Sequence, residues 1–321
     1  MKYVAIIVAA GLSTNVNEVK PMLCIGEKTI ISTIIDNLKD AGVDDIVVVA
    51  GYESEKLTRY LENEDVKVIK NAEYASTEMF DSICLGIRSI KKDYDGLLII
   101  PVDIPLVKPD TIKKMLKTKA DVVRPVFCGT TGHPVLISSD CIDNVLEHDG
   151  ENGLKGALAS IFTNKTYLNK HTLVDLEVDD MGIVMDSETS ADFKALKSKA
   201  IQNRSDGELW GDIKINLVKN DTILTPETAQ FVEMIYHTGS IQKACACMHI
   251  SYTKGWSMLN KIEKELTYNI IERTPGGSGG GGSCLTERGM RLIEAYREYK
   301  DRIRKFADEI FDEAFEEFLH E

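Results

Sequence analysis

Four strand-like segments punctuate the first third of the chain: the near-continuous apolar runs YVAIIVA at 3–9, DIVVVA at 45–50 and LLIIPV at 97–102, and the shorter VKVIK at 66–70. The three long runs are rich in β-branched residues and too evenly apolar for strands with one wet face. Helical stretches separate them. In TIISTIIDNLKDA, at 29–41, apolar residues recur at helical spacing up to Gly42. Buried strands alternating with amphipathic helices predict an α/β fold with a mostly parallel sheet covered on both faces. Ligands of such sheets sit beyond the carboxyl ends of the strands. The loop after Ala9 and the acid after Val102 both fall there.

The chain has 321 residues, enough for two domains. The polar, aperiodic stretch SKAIQNRSDGE, at 198–208, marks a join. We expect domains at 1–198 and 209–321 with a linker at 199–208. The net charge of −13 argues against a chain that coats nucleic acid along its length, but leaves room for a local basic face. No apolar run reaches the roughly 18 residues needed to cross a bilayer, so no membrane partner is expected. The opening MKYVAIIVAAG is short and leads straight into a polar loop, as a first strand does and a signal peptide does not. Seven cysteines, an odd number with no Cys-x-x-Cys pair, suit reduced thiols and a cytoplasmic location.

In IIVAAGLSTNVNEVKPML, at 6–23, a buried strand breaks at Gly11 into a polar loop that delivers Lys20 just before Pro21. A glycine-containing turn between strand and helix exposes backbone N–H groups to anions, and Lys20 adds a point charge suited to a triphosphate. Asp103, in PVDIPLV, ends the fourth run, where a carboxylate is placed to hold Mg²⁺. Asp186, in DDMGIVMDSET, follows another apolar stretch. Each acid alone is equally well read as a cap or turn residue. With the Lys20 loop they compose a metal-assisted phosphoryl site.

Residues 1–196 resemble the nucleotidyltransferases of the molybdenum cofactor cytidylyltransferase type. The resemblance rests on AAGLS at 9–13 with Lys20, KTIISTIIDNLKDAGVDDIVVVAGY at 28–52 and NAEYASTEMFDSICLGI at 71–87. It continues through PVDIPLV at 101–107, GTTGHPVLI at 129–137, GENGLKGAL at 150–158 and LEVDDMGIVMDSET at 176–189. It implies a Rossmann-like domain that transfers a nucleotide from a nucleoside triphosphate to molybdopterin cofactor with Mg²⁺, releasing pyrophosphate. Ala10, Gly11, Ser13 and Ser82 then lie at the nucleotide, and Lys20 on its phosphates. Asp103 and Asp186 hold the metal, and Lys20, Asp103 and Asp186 form the catalytic set. His133, Asn152, Gly153 and Lys155 face the substrate. The AAG form looks more like the CTP-using branch than the GTP-using one. The loop departs from the family at Asn15 and Asn17, where an arginine and a glycine are usual. Loss of the guanidinium removes a bidentate phosphate contact.

The pattern beyond residue 209 is helical: 226–237, 240–248, 251–266 and a long stretch from about 286 to 319, interrupted by GGSGGGG at 276–282. Ser240 and Ser251 are placed as N-caps. In SYTKGWSMLNKIEKEL, Leu259, Ile262 and Leu266 share one face. Ser251, Tyr252, Thr253, Lys254, Ser257 and Lys261 occupy the start and the other side, and Trp256 falls at the edge, equally suited to core or contact. Structured pieces closely flank the glycine run, so it reads as a hairpin tip, with Ser278 at its apex. Helix, turn, capped helix and glycine-tipped hairpin are the order of a winged helix-turn-helix. Between 239 and 291, seven Lys/Arg face four Asp/Glu, a local positive balance suited to double-stranded DNA. TGSIQKACACMHISYTKGWSMLNKIEKEL and IIERTPGGSGGGGSCLTERG resemble the DNA-binding domain of molybdate-responsive regulators of the ModE type, more distantly the LysR type. The last helix, with Ile303, Phe306, Ile310 and Phe311 at helical spacing, is expected to make a homodimer.

Two functions follow as expectations. One is a cytidylyltransferase-type enzyme fused to a DNA-binding module. The other is a transcription regulator whose degenerate transferase domain senses nucleotide or cofactor. Transfer to a different phosphorylated acceptor is a third.

Overall fold

A computed structural model describes residues 1–11, 19–26, 28–91, 93–163, 171–185, 211, 213–248, 250–277 and 280–315. The chain falls into two compact units, Met1–Met22 with Lys28–Leu196 and Leu23–Glu27 with Lys197–Glu321.

The first unit is α/β. Its strands are β1 (Tyr3–Ala9), β2 (Asp45–Ala50), β3 (Lys67–Lys70), β4 (Gly96–Pro101), β5 (Val122–Phe127), β6 (Thr130–Thr131), β7 (Val135–Ser138) and β8 (Leu173–Glu177). Its helices are α1 (Ile30–Asp40), α2 (Ser54–Tyr60), α3 (Met79–Arg88), α4 (Pro109–Lys117), α5 (Ile142–Glu147) and α6 (Gly153–Thr163). The strands form one sheet in the order β8-β5-β7-β4-β1-β2-β3, with β6 paired to β5. Strands β1, β2, β3 and β4 run parallel, as do β5 and β8. The four runs legible in the sequence are β1 to β4. The antiparallel strand β7, wedged between β4 and β5, was not read from it.

The central strands are buried on both faces. Val4, Ile6, Val8, Val47, Val49, Leu97 and Ile99 pack with Ile83 and Ile87 of α3, Ile142 and Val145 of α5, and Ala157 and Ile161 of α6. The alternate residues Ala5, Ile7, Val48 and Leu98 are buried too, so the other face is covered as well. Because β1 lies between β2 and β4, the chain reverses direction across the sheet at β1. A crevice opens at such a switch point, beyond the carboxyl ends of the strands.

The second unit begins with a small antiparallel pair, β9 (Leu217–Val218) and β10 (Thr222–Leu224). Helices α7 (Pro226–Thr238), α8 (Ile241–Cys247) and α9 (Tyr252–Leu266) follow, then β11 (Ile271–Gly277), β12 (Gly280–Leu285) and α10 (Glu287–Phe315). Ser240 Oγ accepts from Lys243 N–H and Ser251 Oγ from Lys254 N–H, so both serines cap as the sequence suggested. Leu259 and Ile262 of α9 are fully buried. A Cβ on Gly255 would stand 2.5 Å from Cys245 Sγ and 2.7 Å from the Phe231 ring; the missing side chain is what lets α9 lie close on α7 and α8. Strands β11 and β12 pair antiparallel, from Ile271 opposite Leu285 to Gly277 opposite Gly280. The glycine run is thus the tip of a hairpin wing. Its base is tied to the α7–α8 turn by Ser283 N–H donating to the Gly239 carbonyl.

Candidate functional site

Beyond the ends of β1 and β4 lies a cavity of about 210 Å³ bordered by Ala10, Gly11, Lys20, Tyr74, Thr77, Glu78, Met79, Ser82 and Asp103. Val102 N–H donates to the Val8 carbonyl, so pairing of β4 with β1 continues one rung past the strand and brings Asp103 to the same cavity as Gly11. Lys20 enters on a short 3-10 turn whose Pro21 and Met22 are buried. Its Nζ lies 2.6 Å from Asp103 Oδ1, with both side chains about one-quarter exposed. Asp103 Oδ1 is itself enclosed and receives no hydrogen bond of good direction, so the contact is an ion pair off the hydrogen-bond axis. An enclosed carboxylate oxygen of this kind suits a hard divalent cation. Asp103 therefore fits one ligand of a Mg²⁺ site.

A second layer holds these groups in place. A Cβ on Gly51, just after β2, would sit 2.4 Å from the Ala10 carbonyl oxygen and 2.8 Å from Tyr74 Cβ. Only glycine lets these backbones cross under the cavity. Asn71, just after β3, is buried. Its amide donates to Ser82 Oγ and Thr77 Oγ1, both at 3.0 Å, and its Oδ1 accepts from Glu73 N–H. One side chain thus fixes the 71–77 turn and aims Ser82. Sequence reasoning missed Asn71 as a site residue, although it opens the NAEYASTEMF stretch and follows a strand directly.

His133 precedes β7 on the same edge of the sheet. Its N–H donates to the Ile183 carbonyl, its ring Nδ1 is buried without a hydrogen-bond partner, and burial lowers its pKa against an opposing bond to the Ile99 backbone. The ring is therefore neutral near pH 7. Asn152 and Gly153 adopt left-handed conformations, φ 60° and 59°, leading into α6, beside Phe80 of α3. Lys155 is exposed on α6. The structure thus brings Ala10, Gly11, Lys20, Ser82 and Asp103 around one cavity, and places His133, Asn152, Gly153 and Lys155 outside its border. Ser13, Asn15, Asn17 and Asp186 lie outside the described residues.

In the second unit, Tyr252, Thr253, Lys254, Ser257 and Lys261 are all exposed on α9, away from the buried Leu259 and Ile262. Lys254 Nζ pairs with Glu227 at 2.7 Å and Lys261 Nζ with Asp221 at 3.1 Å. The Thr222 N–H and Lys261 hold the Asp221 carboxyl below its usual range. Trp256 is half-buried, edge-on to Tyr252 at 6.0 Å. Ser278 lies outside the described residues.

Residues 5–166 match the MobA-like NTP transferase domain. Over 196 residues, 60% of this chain and 95% of the relative, the sequence is 26% identical to the molybdenum cofactor cytidylyltransferase of Escherichia coli. Over 71 residues it is 38% identical to the transcriptional regulator ModE of Yersinia pestis, and over 87 residues 32% identical to the DNA-binding transcriptional dual regulator ModE of Escherichia coli. These matches span 27% and 32% of the two regulators, and 22% and 27% of this chain. Among solved structures, a nucleotidyl transferase from Methanothermobacter thermautotroptrophicus superposes with a TM-score of 0.53 at 18% identity, covering 63% of this chain and 99% of that one. Among the described residues, no helix is long and apolar enough to cross a membrane.

Proposed function

The chain belongs to the MobA-like NTP transferase domain family, and from that premise we propose that its first unit transfers a nucleotide, CMP by preference, to the terminal phosphate of molybdopterin cofactor. One observation carries the reading: Lys20 and Asp103 meet in the cavity beside Gly11 and Ser82, at the switch point of the sheet. A metal triphosphate brings an anion for Lys20 and a cation for Asp103, exchanging one ion pair for two. The acceptor phosphate attacks the α-phosphorus, the bond to the β-phosphate oxygen breaks, and pyrophosphate leaves with that electron pair. A phosphomonoester is already largely dianionic near pH 7, so the reaction needs charge neutralisation and in-line positioning more than a general base. Asp103 and, on the family pattern, Asp186 would hold a Mg²⁺ ion, which would supply that neutralisation. Lys20 holds the phosphates, the Gly11 turn offers backbone N–H groups to them, and Ser82, aimed by Asn71, meets the nucleoside. His133, Asn152, Gly153 and Lys155 serve the acceptor.

For the second unit we propose a DNA-binding module. The N-terminal residues of α9 enter the major groove, β11 and β12 flank it, and α10 joins two copies. Lys254 and Lys261 then leave Glu227 and Asp221 for phosphates. A second reading, a regulator that senses nucleotide or cofactor without turnover, is favoured by Asn15 and Asn17 in the loop.

The test follows pyrophosphate from the full chain with Mg²⁺, molybdenum cofactor and either CTP or GTP. Transfer predicts release with CTP, reduced about 100-fold or more in Asp103→Asn, within the range seen when one transition-state electrostatic contact is removed. Nucleotide binding without release, together with a nucleotide-dependent DNA affinity, selects the sensor.

A further inference from the structure

On the amino edge of the first unit's sheet, at the opposite end of the strands from the cavity, three donor side chains from separate segments converge. Asp121 precedes β5, Cys141 lies between β7 and α5, and His171 stands two residues before β8. Cys141 Sγ is 3.4 Å from His171 Nδ1, and that nitrogen is 3.9 Å from Asp121 Oδ1. All three donor atoms lie within 4.8 Å of one another. Ligand atoms around a tetrahedral zinc, each about 2.0–2.3 Å from the metal, stand roughly 3.3–3.8 Å apart. The cluster is therefore close to the required size. We infer that Asp121, Cys141 and His171 form a zinc site with three protein ligands and one open position.

The donor chemistry selects the metal. A thiolate, an imidazole and a carboxylate together suit a borderline-soft divalent ion rather than the hard Mg²⁺ expected at Asp103. The carboxylate is also aimed. Asp121 Oδ2 accepts from Thr172 N–H at 2.7 Å and Thr172 Oγ1 at 2.8 Å, which turns Oδ1 toward His171, and Oδ1 also accepts from Ser138 Oγ at 3.3 Å. Outer bonds of this kind fix ligand direction in metal sites. Cys141 is fully buried and the His171 side chain is 8% exposed, so the ion would be shielded. A purely hydrogen-bonded trio accounts for the Cys141–His171 contact. It leaves Asp121 Oδ1 beyond bonding reach of the imidazole, at the separation a shared cation bridges.

Strand β5 spans six residues, or about 20 Å at the usual rise, so this site does not touch the nucleotide cavity. Its ligands join the start of β5, the end of β7 and the entry to β8. A cation there pins β8, which leads toward Asp186, to the rest of the sheet.

The experiment loads the purified full chain with Zn²⁺, dialyses it against metal-free buffer and measures zinc by mass spectrometry. One equivalent is expected in the native chain, falling to near zero in Cys141→Ser and in His171→Gln. Zinc should raise the unfolding temperature of the native chain and leave that of His171→Gln unchanged. Co²⁺ in place of zinc should give a thiolate-to-metal charge-transfer band that Cys141→Ser abolishes. Should Cys141→Ser not fold, by circular dichroism, His171→Gln decides alone. No retained zinc in the native chain, or equal zinc in His171→Gln, overturns the site.

Discussion

The buried imidazole of His133 ties the acceptor side of the proposed active site to pH. Burial lowers its pKa, and donation to the Ile99 backbone opposes burial without cancelling it. Between the lowered folded value and the ordinary one near 6.5, the unfolded chain binds more protons than the folded one, so stability rises with pH across that window. The contribution is complete above the ordinary value and is lost as pH falls through the folded value. The unfolding temperature of the full chain should therefore drop as the buffer goes from about pH 7.5 to about 5.5, and His133→Asn should flatten the drop. Equal slopes for the two chains would remove His133 as its source. Residues of this kind differ in how visible they are in sequence. Lys20 and Asp103 were legible because each follows a recognisable strand and carries a charge suited to phosphate or metal. Asn71 was less so, since its role is to aim Ser82 through a hydrogen bond made only once the 71–77 turn folds. Asp121, Cys141 and His171 share no motif spacing and are brought together solely by strand order.

At the scale of elements, the segment leading toward Asp186 is held by Asp180. This carboxylate is buried and fully used: Oδ2 accepts from Lys108 N–H and Thr111 Oγ1, both at 2.8 Å, and Oδ1 from Gly182 N–H at 2.9 Å. It welds the start of α4 to the 3-10 turn at Met181–Ile183, whose Ile183 carbonyl accepts from His133 N–H. Removing the acceptor strands donors that water reaches poorly. Asp180→Ala should cost about 2–4 kcal/mol in urea unfolding, the range for a buried charged acceptor with several donors. A loss below about 0.5 kcal/mol, typical of an unconstrained surface substitution, would show that the turn is held by other contacts. Asp180 has no local signature in the sequence, because its three donors come from two segments that only the fold brings together. The parallel strands β1, β2 and β4 were legible from their continuous apolar runs, and β3, KVIK, from its β-branched pair between polar flanks. The antiparallel β7 was not: VLIS is short, and its direction is set by its neighbours β4 and β5. The wing was legible for a local reason, since a glycine run flanked by IIERT and SCLTERG has few structures other than a hairpin tip.

For the whole molecule, the proposed regulator half makes a demand the transferase-family half does not. A single recognition helix reads one half-site, whereas two-fold operators need two copies. Helix α10 carries the means. It runs 29 residues, about 43 Å at the usual helical rise. Tyr299, Phe306 and Ile310 are 50%, 63% and 47% exposed, and with the half-buried Ile303 they repeat at spacings of four, three and four. We read this spacing as the seam of a coiled-coil contact between two copies, since an isolated soluble helix has little reason to keep it in water. Phe306 and Ile310 from two copies make four side chains, worth together roughly 6–12 kcal/mol if fully buried. Association costs on the order of 4–15 kcal/mol, a range of the same size as this gain, so removing these residues is expected to shift the oligomeric state. The full chain should sediment as a dimer at micromolar concentration. Phe306→Asp combined with Ile310→Asp should shift it to monomer and weaken binding to a two-half-site duplex, while leaving pyrophosphate release per chain unaltered. A monomeric native chain would refute the seam. A dimer that survives both substitutions would place the two-fold contact on another surface.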